Sequence, residues 1–159
     1  MARSHGVMLA LAIATASGCT PGGIASGGVP SAPGGSGTPA IVNVSLTAYP
    51  AGATSAGTGA GYSPLMSTLA VGSTVSFTNK DSFAHTATAI PGASSFPSAS
   101  PFTASAQTAS GTTISAAWSS GTLQPNQSSQ AILIDAAGTY LFGCFFHYGA
   151  PMRGEIVAL

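Results

Sequence analysis

From residue 40 onward the chain alternates apolar and polar side chains over short stretches, the period-two pattern of strands that bury one face. In Ile41-Val-Asn-Val-Ser-Leu46, Val42, Val44 and Leu46 fall on the same side. The same reading predicts strands over 69–71, 75–78, 86–90, 114–118, 131–135, 139–144 and 155–159, separated by Gly, Pro, Asn and Ser. No stretch of this region carries a helical stripe with caps. The predicted fold class is therefore all-β, a β-sandwich with Greek-key connections. Residues 52–61 and 93–111 lack the alternation and are expected as exposed loops or a short local turn.

Residues 1–39 read differently. Arg3, an apolar run over 7–14 and the small residues Ala16-Ser-Gly18 make a secretory signal peptide over 1–18, too short to span a membrane. Cys19, directly after the small triplet, resembles a bacterial lipobox. That resemblance implies lipid attachment at Cys19 and an exported protein, in the periplasm or at the cell surface, that meets the membrane through a lipid anchor only. Residues 19–39 are Gly, Pro and Ser with almost nothing to bury, a flexible tether to a single domain over 40–159.

The stretch 140–152, Tyr-Leu-Phe-Gly-Cys-Phe-Phe-His-Tyr-Gly-Ala-Pro-Met, is hard to explain by folding alone. It gathers Cys144, His147 and Met152, three metal-binding side chains, in a chain with 2 cysteines and 3 histidines. The predicted strand over 139–144 delivers Cys144 to its end, and Gly149, Pro151 and Gly154 mark a tight return into the last strand. His85, where the strand over 75–78 gives way to the strand over 86–90, is the histidine able to meet that loop at one end of a sandwich. A thiolate, two imidazoles and a thioether suit copper shuttling between its two oxidation states. Structural zinc uses Cys and His without a thioether, so Met152 speaks against it. Taken singly, His85 beside Phe83, a buried Cys144 or a core Met152 would be ordinary packing. Together they occupy the positions of one site.

These motifs resemble those of the cupredoxins, the small blue-copper proteins of the plastocyanin, amicyanin and pseudoazurin group. Cys-x-x-His-x-x-x-x-Met over 144–152 has plastocyanin's spacing, Asn79-Lys-Asp-Ser-Phe-Ala-His-Thr-Ala-Thr88 is similar to the segment giving the first histidine, and Ser120-Gly-Thr-Leu-Gln-Pro125 resembles a turn before the penultimate strands. The likeness covers roughly residues 42–159. It implies one mononuclear type 1 copper, with His85, Cys144 and His147 as strong equatorial ligands and Met152 as the weak axial one. Thr86 stands where many members have Asn, which bears on hydrogen bonding at the cysteine sulfur and hence on the potential. The segment 91–113 is longer than compact members require.

What the resemblance implies is an electron carrier, not an enzyme, passing single electrons between redox protein partners as a monomer. Oxidases and nitrite reductases need further copper centres, and His85 and His147 are already used. A copper storage or delivery module would use the same ligands. Charged residues make up 4% of the chain, with no basic patch for nucleic acid. Electrostatic steering is therefore weak, and docking would lean on Phe145, Phe146, Tyr148, Ala150 and Pro151 near the copper, with ordinary core packing an equal alternative for Phe146 and Tyr148.

Overall fold

The computed structural model describes residues 37–159. The signal peptide, Cys19 and nearly all of the tether fall outside the described residues. Short strands follow one another: β1 (Ala40–Val44), β2 (Gly52–Thr54), β3 (Gly57–Gly59), β4 (Tyr62–Ser63), β5 (Met66–Leu69), β6 (Thr74–Asn79), β7 (Thr88–Ala89), β8 (Ala109–Ser110), β9 (Ser119–Ser120), β10 (Ile132–Leu133), β11 (Gly138–Gly143) and β12 (Arg153–Ala158). One sheet runs β10-β6-β1-β4, a second runs β5-β12-β11-β7-β9-β8, and β2 pairs with β3. The chain passes from sheet to sheet between β4 and β5, β5 and β6, β6 and β7, and again around β10. Such crossings leave β1 parallel to β6 and β5 parallel to β12, pairings that no tight hairpin can make.

Alternation along the strands fills the space between the sheets. Val42, Val44, Val75, Phe77 and Ile132 from the first sheet meet Phe142, Ile156 and Ala158 from the second in one core. Phe142 lies edge-on to Tyr62 and Phe77, with ring centroids 4.8 and 5.1 Å away. Burying each such ring is worth about 1.5–3 kcal/mol. Cys144 and Met152 belong to this same core, so the metal-binding end of the sandwich is continuous with its packing.

The outer face of the second sheet is covered as well. Leu141 points away from the main core into a second cluster with Ala56, Ile90 and Tyr148, against which Ala93, Phe96 and Phe102 pack. The long segment 91–113 thus lies over β11 as a lid of three partly buried side chains, and holds a short 3₁₀ turn at Ala104–Gln107. The expectation of an exposed loop over 52–61 is corrected. That segment is the β2–β3 hairpin, with Ala56 and Ala60 buried. Its sequence of Gly, Ala and Thr has no hydrophobic alternation because it is held by a side chain from elsewhere: Ser55 Oγ donates to Glu155 Oε1 at 2.5 Å and the Ala56 N–H to Oε2 at 3.3 Å.

Three other strand expectations are corrected; of 69–71 only Leu69 lies in a strand, as the last residue of β5, before a turn at Val71 and Gly72. Residues 114–118 form no strand, because the Asp135 carboxylate takes both the Ser115 N–H and its hydroxyl and diverts the chain; only its two ends reach across, the Ile114 N–H to the Leu133 carbonyl at 2.8 Å and the Trp118 carbonyl to the Ala89 N–H at 3.0 Å. The strand expected over 86–90 shrinks to Thr88–Ala89, since the Thr86 and Ala87 N–H groups go to side chains, Cys144 Sγ and Ser120 Oγ, in place of a backbone ladder.

Glu155 is 1% exposed on β12 and serves the hairpin alone. Glu155→Ala is expected to cost about 1–3 kcal/mol, because two hydrogen bonds to a carboxylate are lost, leaving the Ala56 N–H only Thr54 Oγ1 at 3.1 Å, and to make the 52–59 hairpin the first site of cleavage in limited proteolysis. Chemical denaturation and a proteolytic time course check this; an unchanged cleavage pattern would contradict it.

Candidate metal centre

The β11–β12 ladder ends at the pair Gly143 and Arg153, and the loop it leaves carries three of the four candidate ligands. Cys144 continues the inward face of Phe142 and is a fully buried free thiol. The loop closes on itself: the Cys144 N–H donates to the Met152 carbonyl at 3.0 Å, and the Ala150 and Met152 N–H groups donate to the His147 carbonyl at 2.9 and 3.2 Å. His85 arrives from the β6–β7 connection. Its backbone exchanges hydrogen bonds with Leu123 at 3.2 and 2.8 Å, and the Asn79 side chain ties the Phe83 and Leu123 carbonyls at 2.8 and 2.9 Å. Two loops remote in sequence are thereby pinned at one end of the sandwich.

His85, Cys144 and His147 bring their ligand atoms within 4.8 Å of one another. Cys144 Sγ is 3.7 Å from His85 Nδ1 and 3.6 Å from His147 Nδ1. Such separations are those of two donors on one first-row ion when each bond is roughly 2.0–2.3 Å and the angle between them lies between tetrahedral and trigonal. Met152 is fully buried behind them. Its side chain presses on Gly61, where φ is +75° and a Cβ would lie 2.7 Å from Met152 Cγ and 3.2 Å from Sδ. Only glycine takes that backbone and leaves that room. Gly61 was not legible as part of the site, since its stretch reads as a plain Gly-rich loop.

The surroundings of the sulfur answer the departure at Thr86. The Thr86 N–H donates to Cys144 Sγ at 3.4 Å, and Thr86 Oγ1 accepts the Phe145 N–H at 2.8 Å. Threonine therefore links the two ligand loops itself. Tyr62, buried in the core, donates its hydroxyl to the Thr86 carbonyl at 2.7 Å and braces the same residue from below. A further residue escaped the sequence reading: Asp81, whose Oδ2 lies 2.9 Å from His85 Nε2. In Asn-Lys-Asp-Ser it reads as a surface charge, yet it is buried.

Electrostatics prepare the donors in different ways. Burial pushes the Cys144 thiol up, and backbone hydrogen bonds from Thr86, His147 and Phe146 only partly offset this. Burial holds His147 below its ordinary value, helped by the nearby His85 and opposed by Asp81. Burial alone would raise Asp81, but hydrogen bonds from Thr47, His85 and the Leu46 and Thr47 backbone prevail and bring it to about 2. The metal-free site at neutral pH thus holds a protonated thiol, a neutral His147 and an ionised Asp81. A metal must displace the thiol proton on entry.

The donor set is that of a type 1 copper centre. Two imidazoles and a thiolate, with a thioether behind them, are the combination that selects copper in an electron-transfer geometry. No protein-family model and no curated protein matches the chain. Among solved structures it is similar to a purple cupredoxin from Nitrosopumilus maritimus, at 22% identity over 76% of this chain and 99% of that one, with a TM-score of 0.48. It is also similar to an oxidised single-residue variant of amicyanin, at 18% identity over 76% of this chain and 81% of that one, TM-score 0.44. A reduced amicyanin variant is 19% identical over 80% of this chain and 95% of the other, TM-score 0.46. The chemistry of the site is read from its own donors and not from these likenesses.

The apolar residues around the site divide. Phe146 is 40% exposed, Phe145 and Pro151 are half-buried and Ala150 is exposed. Tyr148 is 2% exposed and does not belong to an exposed patch. It is held inward by its hydroxyl on the Pro97 carbonyl at 2.9 Å and by the Arg153 guanidinium, 4.2 Å from its ring.

Thr86→Val keeps the shape and the N–H to sulfur but removes the acceptor for the Phe145 N–H. The expected outcome is a loss of about 1–3 kcal/mol in the metal-free domain with the thiol still buried. Denaturation curves and thiol reactivity check it; a neutral substitution would mean that Oγ1 does not tie the loops.

Proposed function

We propose that this protein is an exported electron carrier whose single copper is held by His85, Cys144, His147 and Met152. The observation that carries this reading is the convergence of the His85, Cys144 and His147 donor atoms within 4.8 Å at one end of the sandwich. Bound copper would supply a one-electron couple, with thiolate and thioether favouring Cu(I) and the imidazoles serving both states. The chain does the rest. Cys144, Thr86 and His85 are fully buried and fixed by backbone hydrogen bonds, so the donors have little freedom to rearrange when charge changes. Phe83 packs on both imidazoles, with ring centroids 4.8 Å from His85 and 5.4 Å from His147, and keeps water from the site. His147 is the partly exposed ligand and would be the route for electrons to a docked protein.

A carrier needs no second metal centre. Of 3 histidines in the sequence, His5 falls in the signal peptide and the other two are ligands, so oxidase or reductase chemistry lacks donors. We read the redox partners as proteins that dock by apolar contact at Phe145, Phe146 and Pro151. The anchor would be a lipid on Cys19; among the described residues no helix is long and apolar enough to cross a membrane.

The test is the visible and EPR spectrum of the Cu(II)-loaded protein. A strong thiolate-to-Cu(II) band with narrow hyperfine splitting, bleached reversibly by reductant, is expected, and Cys144→Ser should abolish it. Met152→Leu should leave copper bound and move the potential, because an axial thioether tunes the site more than it holds it. A colourless protein that exchanges copper readily would favour storage or delivery instead.

A further inference from the structure

We propose that Asp81 is a positioning residue of the metal centre. It accepts the His85 Nε2–H, commits Nδ1 to the metal and favours the more highly charged oxidation state. The inference rests on the copper reading above. His85 is completely buried and the Asp81 side chain is 5% exposed, with 2.9 Å between Nε2 and Oδ2. Nδ1 faces Cys144 Sγ, so the two ring nitrogens have separate tasks. A ligand imidazole whose far nitrogen donates to a carboxylate is fixed in tautomer and ring angle, and is the more basic donor.

Asp81 is built into the fold. Its Oδ2 also accepts the Leu46 N–H at 2.7 Å, its Oδ1 accepts the Thr47 hydroxyl at 2.6 Å, and its own N–H donates to Asn79 Oδ1 at 2.8 Å. These bonds join the ends of β1 and β6 to His85. A surface carboxylate would swing away from a histidine; this one is held in place by the Leu46 N–H and the Thr47 hydroxyl. Among the described residues its one ion pair is with His85, so no Lys or Arg cancels its charge. A negative charge beside a water-shielded ligand stabilises Cu(II) over Cu(I), since charges in a poorly screened interior interact strongly.

Asp81→Asn preserves an acceptor for His85 and removes the charge. Expected is a Cu(II) affinity lowered roughly 10–100-fold. A bias of about tenfold between the two oxidation states corresponds to a potential raised by about 59 mV. Thr47→Val is the control, removing an anchor and no charge; it should lower stability and leave the potential where it was. In the metal-free protein, nitrogen NMR of His85 should find the Nε2–H tautomer in the wild type and a mixture of the Nε2–H and Nδ1–H tautomers in Asp81→Leu. An unchanged potential in folded Asp81→Asn, a shift of the same size in Thr47→Val, or a wild-type proton on Nδ1 would each overturn the proposal. If the wild type gives no blue band, the electron-carrier reading fails, while the tautomer still decides what Asp81 does to His85.

Discussion

The metal end of this protein depends on the register of β11 against β12. Pairing Gly143 with Arg153 leaves Cys144 and Met152 as the first residues beyond the ladder on either side. Each is inward-facing because Phe142 and Gly154 fix the alternation. A slip of one residue would turn Cys144 outward and carry Phe142 out of the core. The core therefore enforces the site: the aromatic contacts of Phe142 with Tyr62 and Phe77 penalise any register that misplaces the thiol. Gly154 belongs to the same constraint, since a Cβ there would lie 2.4 Å from the Phe142 ring.

Charge is used sparingly, and two of the three acidic side chains lie inside. Of three acidic residues, Asp81 and Glu155 are buried and each gathers several hydrogen bonds. Buried carboxyls are costly unless their oxygens are satisfied, and these two repay that cost by tying distant segments: Glu155 holds the β2–β3 hairpin, Asp81 holds β1 and His85. A chain this poor in surface charge cannot rely on steering, which is consistent with the apolar side chains that ring His147.

Much of this was legible in the sequence where side-chain pattern and structure share a cause. Val42, Val44, Val75 and Phe77 alternate because one face is buried, and Cys144, His147 and Met152 lie in a loop whose spacing is the site. The misreadings have another origin. The 52–61 hairpin is held by a tertiary partner, Glu155, and nothing local in Gly, Ala, Ser or Thr announces a distant partner; 93–111 is, as expected, mostly exposed loop with a short turn at Ala104–Gln107. Asp81 was overlooked for the same reason. A charged residue beside Lys80 in a turn reads as solvated until the His85 ring is seen against it. Tyr148 could be read as core or as docking surface, because in the loop beyond β11 no alternation says which way an aromatic residue faces; the structure buries it.

The two imidazoles are not equivalent, and the difference bears on how the site could work. His85 is completely buried, with one nitrogen toward Cys144 and the other on Asp81, so neither ring rotation nor loss of the ligand is open to it without breaking the knot at β1. His147 stands in a loop closed by only a few backbone bonds and is partly exposed. Any exchange with the outside, of an electron or of the metal itself, has its short path there. A storage protein would gain from loosening both histidines, because release requires ligands to leave. A carrier gains from fixing the inner one and presenting the outer one, since a stiff donor set costs little reorganisation while an exposed ring edge shortens the distance to a partner. The burial of His85 against Asp81 is the arrangement of the second kind.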